Sequence, residues 1–176
     1  MNANGVCTVL ERAGIRYALI GAAAVALRGY PRFTQDTDFL TTDRRVFETS
    51  IWEDLRQQGV RIDIRKGDAD DPLAGVIRIG ASPDQVDLVV GRWSWEQQAI
   101  ERAERMDVLG TSIPVATRSD LILLKLVAGG YKDLADAASL LTLAPQEETK
   151  AEVDAHIGEL PAEAKAEWAK LVRALG

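Results

Sequence analysis

The alternation of hydrophobic and polar residues divides the chain into a first part with strands and helices and a second part with helices only. Short apolar or alternating runs bounded by turn residues are typical of strands. They predict strands at 17–20, 36–41, 60–65, 76–79 and 86–90, with a hairpin or edge strand at 107–115. A helical period predicts helices at 2–13, 22–27, 44–58, 93–106, 119–127, 132–141, 146–157 and 161–175. This order predicts an α+β fold, in which helices pack on a mixed β-sheet and a C-terminal helical region follows.

The predicted elements place a boundary between residues 116 and 117. Residues 1–116 form an α/β core, and residues 117–176 form a helical region packed on that core as one compact unit. A chain of 176 residues with 47% hydrophobic residues is long enough to bury a core of this kind.

Composition excludes several classes of chemistry. The formal charge is 21 − 27 = −6, so binding of nucleic acid would need a local basic patch. The arginines at 44, 45 and 56 are one candidate for such a patch, and the alternative is that they form an ordinary solvated helix face. A single cysteine, Cys7, excludes an internal disulfide framework, and a single histidine, His156, leaves serine or cysteine triads without their usual base. No apolar run is long enough to span a membrane, and the N-terminus has no leader pattern. We therefore expect a cytoplasmic protein with no membrane partner.

The most informative stretch runs from residue 18 to residue 40, where a strand, a small-residue turn, a helix and an Asp-x-Asp pair follow one another. Gly21 and Ala22 lack bulk, so a phosphate can approach the free backbone N–H groups at the helix start. Alternate residues of a strand share a face, which would put Asp36 and Asp38 about 6 to 7 Å apart.

Neighbouring carboxylates repel each other unless a cation compensates them. Magnesium prefers oxygen ligands and often bridges one or two carboxylates to substrate phosphates. Asp87 adds a third carboxylate within an apolar run, where an unpaired charge is costly to bury. We predict that Asp36, Asp38 and Asp87 bind metal, with an ion pair between Asp87 and Arg78 as the alternative for the third residue. Asp63 is a rival third carboxylate, although its position between two arginines favours a surface ladder pair.

The stretch resembles the opening motif of the polymerase-beta-type nucleotidyltransferase superfamily, in which Gly and a small residue precede Asp-x-Asp by about a dozen residues. The closest similarity within it is to minimal nucleotidyltransferases related to AbiEii toxins, through Arg32, Thr34, Asp36 and Asp38. Later motifs are also similar, namely Pro114, Asp120-Leu121, Lys125-Leu126 and residues 129–136, so that the resemblance covers residues 17–141. Ala22 departs from the pattern, because the family has Gly or Ser there.

The resemblance implies transfer of a nucleoside monophosphate from a nucleoside triphosphate, ATP among them, to an acceptor hydroxyl, with two Mg²⁺ ions and release of pyrophosphate. Asp36 and Asp38 would share the metals, and Asp87 would bind the second metal and take the acceptor proton. Lys125 would contact the triphosphate, with Arg32 as a second candidate and Gly21, Ala22 and Thr34 completing the nucleotide site.

The acceptor stays open between RNA such as a tRNA end, a protein and a small molecule. The family analogy adds a toxin role with an antitoxin protein as partner. The alternative function is a catalytically weak nucleotide-sensing or partner-binding module that retains the fold, which Ala22 and the acidic surface favour. Several single residues also have alternative roles. Lys125 could instead snorkel from an apolar helix face. Asp133 and Asp136 could cap a helix, pair with Lys132 or bind substrate, and Trp93 or Trp95 could pack in the core instead of stacking on a base.

Overall fold

The computed structural model describes residues 3–108 and 110–175 and contains one seven-stranded mixed sheet with helices before, between and after its strands. The strands are β1 (Ala18–Ile20), β2 (Thr37–Thr41), β3 (Ile62–Lys66), β4 (Gly75–Ile79), β5 (Val86–Val90), β6 (Glu104–Val108) and β7 (Thr111–Val115). The helices are α1 (Ala3–Arg12), α2 (Gly21–Leu27), α3 (Glu53–Gln57), α4 (Ser94–Glu101), α5 (Arg118–Ala128), α6 (Tyr131–Thr142), α7 (Gln146–His156) and α8 (Ala162–Leu175). The predicted α+β class is confirmed.

The strand order across the sheet is β3-β4-β5-β2-β1-β7-β6. The pairs β2–β5 and β1–β7 are parallel, and the other neighbours are antiparallel. Parallel neighbours need a long connection, which the intervening β3–β4 hairpin and α3 supply between β2 and β5. β2 and β5 therefore lie side by side near the middle of the sheet, although 44 residues separate them along the chain.

One face of the β2, β5 and β4 region is buried and the other is open. Phe39, Leu88 and Ile77 are aligned across these strands and are fully buried. Side chains alternate along each strand, so the next aligned row, Asp38, Asp87 and Arg78, leaves the sheet on the opposite face. Its members are half-buried or exposed. The sequence thus builds a sheet with an apolar face for the core and a charged face for solvent or ligands.

The chain forms two compact units, one of residues 1–23 and 33–116 and one of residues 24–32 and 117–176, as far as these residues are described. The first contains the whole sheet with α1, α3 and α4. In the second, α5 packs with α6, α7 and α8. The division falls within α2, and the predicted split into domains 1–116 and 117–176 remains a prediction. No helix in the described part of the chain is long and apolar enough to cross a membrane.

The helix predicted over 44–58 is wrong for most of its length. Two 3₁₀ turns, Arg44–Phe47 and Thr49–Trp52, precede the short α3, and the backbone of Glu48 between them is extended. The indole N–H of the fully buried Trp52 donates to the carbonyl of Val46 at 2.7 Å, which fixes this broken path. Three β-branched residues in the stretch, Val46, Thr49 and Ile51, also lower its helix propensity.

The helix predicted over 93–106 ends early, at Glu101. Residues Glu104–Val108 instead form β6, which pairs with β7 from Glu104 opposite Val115 to Val108 opposite Thr111. The hairpin predicted from residue 107 is present but begins earlier. The start of α4 is held by Glu96, whose buried carboxylate accepts from the backbone N–H groups of Arg92 and Trp93, and burial raises the pKa of Glu96.

Candidate active site

Asp38 and Asp87 lie directly opposite each other on the parallel strands β2 and β5. Adjacent strands are about 4.8 Å apart, and aligned residues point to the same face of a sheet. The two carboxylates therefore leave the open face as neighbours. They come from segments that are remote in sequence, and the pairing of β2 with β5 is what brings them together.

Gly21 lies against the Asp38 side chain. It follows β1 directly and is the first residue of α2. Its φ is +68°, a left-handed conformation that is unfavourable for residues with a side chain. A Cβ at this position would be 2.0 Å from Asp38 Oδ2, so only glycine fits. The sequence pattern predicts that a small residue here lets a phosphate approach the backbone. The structure gives a nearer reason, because the space beside the Gly21 Cα is occupied by the Asp38 carboxylate. Ala22, the next residue of α2, is half-buried.

Asp36 lies just before β2, because the strand begins at Thr37 instead of residue 36. Its backbone N–H donates to the Thr34 hydroxyl at 3.3 Å, and that hydroxyl donates to the Asp36 carbonyl at 3.1 Å. The alternation argument that put Asp36 on the face of Asp38 does not extend to a residue outside the strand. Asp36 is exposed, and Thr34 holds a local turn in front of β2.

Asp87 already has two neighbours of its own. Gln85 Nε2 donates to Asp87 Oδ1 at 2.9 Å, and Arg78 Nε lies 3.6 Å from Asp87 Oδ2. The alternative interpretation of Asp87 as an ion-pair partner of Arg78 is therefore present in the structure. With the Arg78 side chain 48% exposed and the separation longer than a hydrogen bond, this pair is a weak one.

The donor set at the Asp38–Asp87 pair consists of carboxylate oxygens alone, which suits Mg²⁺. Over residues 3–108 and 110–175, no three His, Cys, Asp or Glu side chains are grouped closely enough to hold a metal. The arrangement therefore fits a magnesium ion that takes two protein carboxylates and keeps several waters, and it does not form a closed protein cage.

The cationic residues predicted to contact the triphosphate belong to the second unit, where they form a network. Lys125 Nζ lies 2.6 Å from Asp133 Oδ1 and 3.0 Å from Asp136 Oδ2, and Arg32 forms an ion pair with Asp136 Oδ1. Asp136 is only 4% exposed and Lys125 13%, so the ammonium does not snorkel into solvent. Within the described chain Asp136 Oδ2 accepts no hydrogen bond, and Lys125 compensates it through charge.

Neither this network nor the exposure of Trp93 follows from the sequence pattern. Asp133 and Asp136 lie at i and i+3 on α6, which was a usable signal, but their partner Lys125 comes from α5, beyond the break at Gly129. Trp95 is buried as core, whereas Trp93 is half exposed. Arg61, just before β3, and Arg65, on β3, were also not predicted as site residues, although each lies two residues from Asp63 in the sequence.

No protein-family model and no curated protein sequence matches the chain. Solved structures do match. Two structures of ANT(2″)-Ia, an antibiotic-resistance factor, superimpose with TM-scores of 0.57 and 0.56 at 14% and 13% identity. The alignments cover 87% of this chain and 88% and 93% of those chains, and the second structure contains adenylyl-2″-tobramycin. A candidate nucleotidyltransferase from Thermotoga maritima matches with a TM-score of 0.50 at 13% identity, over 80% of this chain and 95% of that one. The chain therefore has the fold of the nucleotidyltransferases.

Proposed function

We propose that this protein is an enzyme that transfers a nucleoside monophosphate from a nucleoside triphosphate to an acceptor hydroxyl. The observation that carries the proposal is the alignment of Asp38 with Asp87 on parallel strands, with Gly21 against Asp38, in a chain with the nucleotidyltransferase fold. Two adjacent carboxylates on an open sheet face are costly as a purely structural feature, because their charges repel.

Asp38 and Asp87 are the proposed ligands of magnesium, with Asp36 as a further ligand from the turn before β2. Bound there, the metal would neutralise negative charge on the phosphates. Asp87 takes the proton of the acceptor hydroxyl as the hydroxyl oxygen bonds to the α-phosphorus. The bond from that phosphorus to the bridging oxygen breaks, and pyrophosphate leaves. Gln85 donates to Asp87 Oδ1 and so orients the carboxylate.

The nucleotide is proposed to bind with its phosphates toward Gly21 and Ala22, at the backbone N–H groups that open α2. Thr34 is the proposed side-chain contact within the first unit, and Arg32 and Lys125 are proposed as phosphate contacts from the sequence motifs alone. The carboxylates of Asp133 and Asp136 hold Lys125 and Arg32 in place, so phosphate oxygens would compete with these carboxylates for the two cations.

The finer assignments depend on the sequence motifs alone. They are a relation to AbiEii-type proteins, ATP as the nucleotide, a cytoplasmic toxin role and an antitoxin partner. Among acceptors, RNA such as a tRNA end, a protein and a small molecule all require the same aspartates, because the chemistry at the phosphorus does not depend on which hydroxyl attacks.

The proposal is tested by incubating the protein with each α-labelled nucleoside triphosphate and magnesium, with total RNA, total protein or an aminoglycoside as acceptor. We expect label transfer that falls by about 100-fold or more in both Asp38→Asn and Asp87→Asn. Asp54→Asn is the matched control, because Asp54 is an exposed aspartate on α3 that pairs only with Arg12 among the contacts described. Transfer that persists in both site variants would contradict the proposal. Nucleotide binding without transfer to any acceptor would favour the nucleotide-sensing alternative.

A further inference from the structure

We propose that a cleft lined by Arg61, Arg65 and Arg78 binds a phosphate group of the acceptor. This inference rests on the proposed function, since it assigns the acceptor side of the same site. It narrows the acceptor to a molecule that carries phosphate, in contrast to an amine-rich acceptor such as an aminoglycoside.

The cleft has a volume of about 220 Å³ and lies on the open face of the sheet. Arg78 on β4 aligns with Asp87 on one side and with Asp63 on the other, and Arg65 follows Asp63 by two residues. All these side chains therefore leave the same face as Asp87. Asp63 and Gln85 also line the cleft, and Gly80, Ala81 and Ser82 add small side chains that leave it open to a ligand.

The cleft carries more positive than negative charge. Arg65 Nε and NH2 each lie 2.9 Å from Asp63 Oδ2, so these two residues compensate each other. Arg78 Nε lies 3.6 Å from Asp87 Oδ2, so Asp87 compensates part of the Arg78 charge. Arg61 is exposed, and its guanidinium has no hydrogen bond or ion pair among the contacts of the described residues. In a chain of net charge −6, a local surplus of arginine is what an anionic ligand requires.

The position of the cleft assigns it to the acceptor. The aligned row crosses the sheet in the order Ile20, Asp38, Asp87, Arg78, Asp63, and the residue after Ile20 is Gly21 at the start of α2. The proposed nucleotide site is therefore at the Gly21 end of the row and the arginines are at the other. Asp63 is three strand spacings from Asp38, about 14 Å. Asp87, the proposed base, stands between the two ends, where the acceptor hydroxyl has to arrive.

The other basic patch of the first unit is a weaker candidate. The Arg45 guanidinium contacts both carboxylate oxygens of Asp43 and reaches the carbonyls of Ala13 and Gly14. All three guanidinium nitrogens of Arg45 therefore already have acceptors in the protein, whereas Arg65 binds Asp63 through two of its nitrogens. Arg44 is exposed and lies outside the cleft, and so it provides a matched control.

The test measures binding of a fluorescein-labelled eight-nucleotide RNA to the full chain by fluorescence anisotropy at several salt concentrations. Arg61→Ala and Arg65→Ala are each expected to weaken binding several-fold and to reduce the slope of log affinity against log salt by about 0.7, the value for one phosphate contact on a single strand. Arg44→Ala is expected to bind like the wild type. Circular dichroism verifies that each variant is folded.

A second arm titrates ribose 5-phosphate and tobramycin by calorimetry. RNA binding that weakens in Arg61→Ala, without ribose 5-phosphate binding, identifies a nucleic-acid acceptor, and ribose 5-phosphate binding lost in Arg61→Ala identifies a small phosphorylated one. Either result supports the phosphate site. Equal RNA affinity in Arg61→Ala, Arg65→Ala and Arg44→Ala, or tobramycin as the only ligand bound, would overturn it. Because binding is measured without turnover, loss of this site and loss of transfer are separate results.

Discussion

At the scale of single residues, Gly21 couples the backbone to the proposed chemistry. We predict that Gly21→Ala lowers both stability and transfer. The left-handed φ of +68° costs about 1–2 kcal/mol for a residue with a side chain. The new Cβ would also be 2.0 Å from Asp38 Oδ2, so the carboxylate has to move. Urea unfolding measures the first effect, and nucleotide transfer measures the second.

Gly14→Ala separates strain from contact. Gly14 also has a left-handed backbone, with a φ of +63°, but a Cβ there would meet nothing within 4 Å. We expect it to lose only the backbone contribution and to keep its transfer activity. If the two variants lost stability and activity equally, the contact between Gly21 and Asp38 would not matter for transfer.

At the scale of elements, the ion pairs between α5 and α6 should contribute strongly to stability. Lys125→Met would leave Asp136, which is 4% exposed, with Arg32 on its Oδ1 and no cation on its Oδ2 among the contacts of the described residues. We predict a loss of about 3 kcal/mol in the free energy of unfolding, because the substitution leaves a buried carboxylate oxygen without a compensating charge. Urea unfolding is the measurement.

Lys132→Met is the control on α6, since Lys132 is exposed and has no ion pair in the described contacts. It should stay within about 0.5 kcal/mol of the wild type. A Lys125→Met protein as stable as the Lys132→Met protein would mean that the network adds nothing to the stability of these helices.

The elements also show what could be predicted from sequence. β2, β5 and the C-terminal helices follow from local periodicity, and their predicted bounds differ from the observed ones by at most one residue. β6 does not, because Glu104–Val108 becomes a strand by pairing with β7 and has no strong strand pattern of its own. The path over 44–58 depends on one buried hydrogen bond, from Trp52 to Val46, which no periodicity reports.

The candidate site divides in the same way. Asp38 and Asp87 could be selected from their residue type and setting, but their alignment needed the parallel pairing of β2 with β5. The arginine cleft could be predicted only by knowing that β3, β4 and β5 are neighbours in the sheet. These are contacts between segments distant in sequence, and local patterns carry no information about them.

At the scale of the whole molecule, the charges are distributed unevenly. The chain has a net charge of −6, yet one open sheet face presents a carboxylate pair beside an arginine cleft. The carboxylates suit a divalent cation, and the arginines suit a phosphate. Together they predict a protein that does not attract polyanions over its whole surface and that binds its anionic acceptor at one place.

The most direct test of the account is Mn²⁺ binding to the protein alone, measured by the loss of the free-ion electron paramagnetic resonance signal. We expect the wild type and Asp54→Asn to bind the ion equally. Asp38→Asn and Asp87→Asn should each bind it at least about tenfold more weakly, since each removes one of the proposed carboxylate ligands. Unchanged Mn²⁺ affinity in both Asp38→Asn and Asp87→Asn would contradict the central claim that these two aspartates form the metal site.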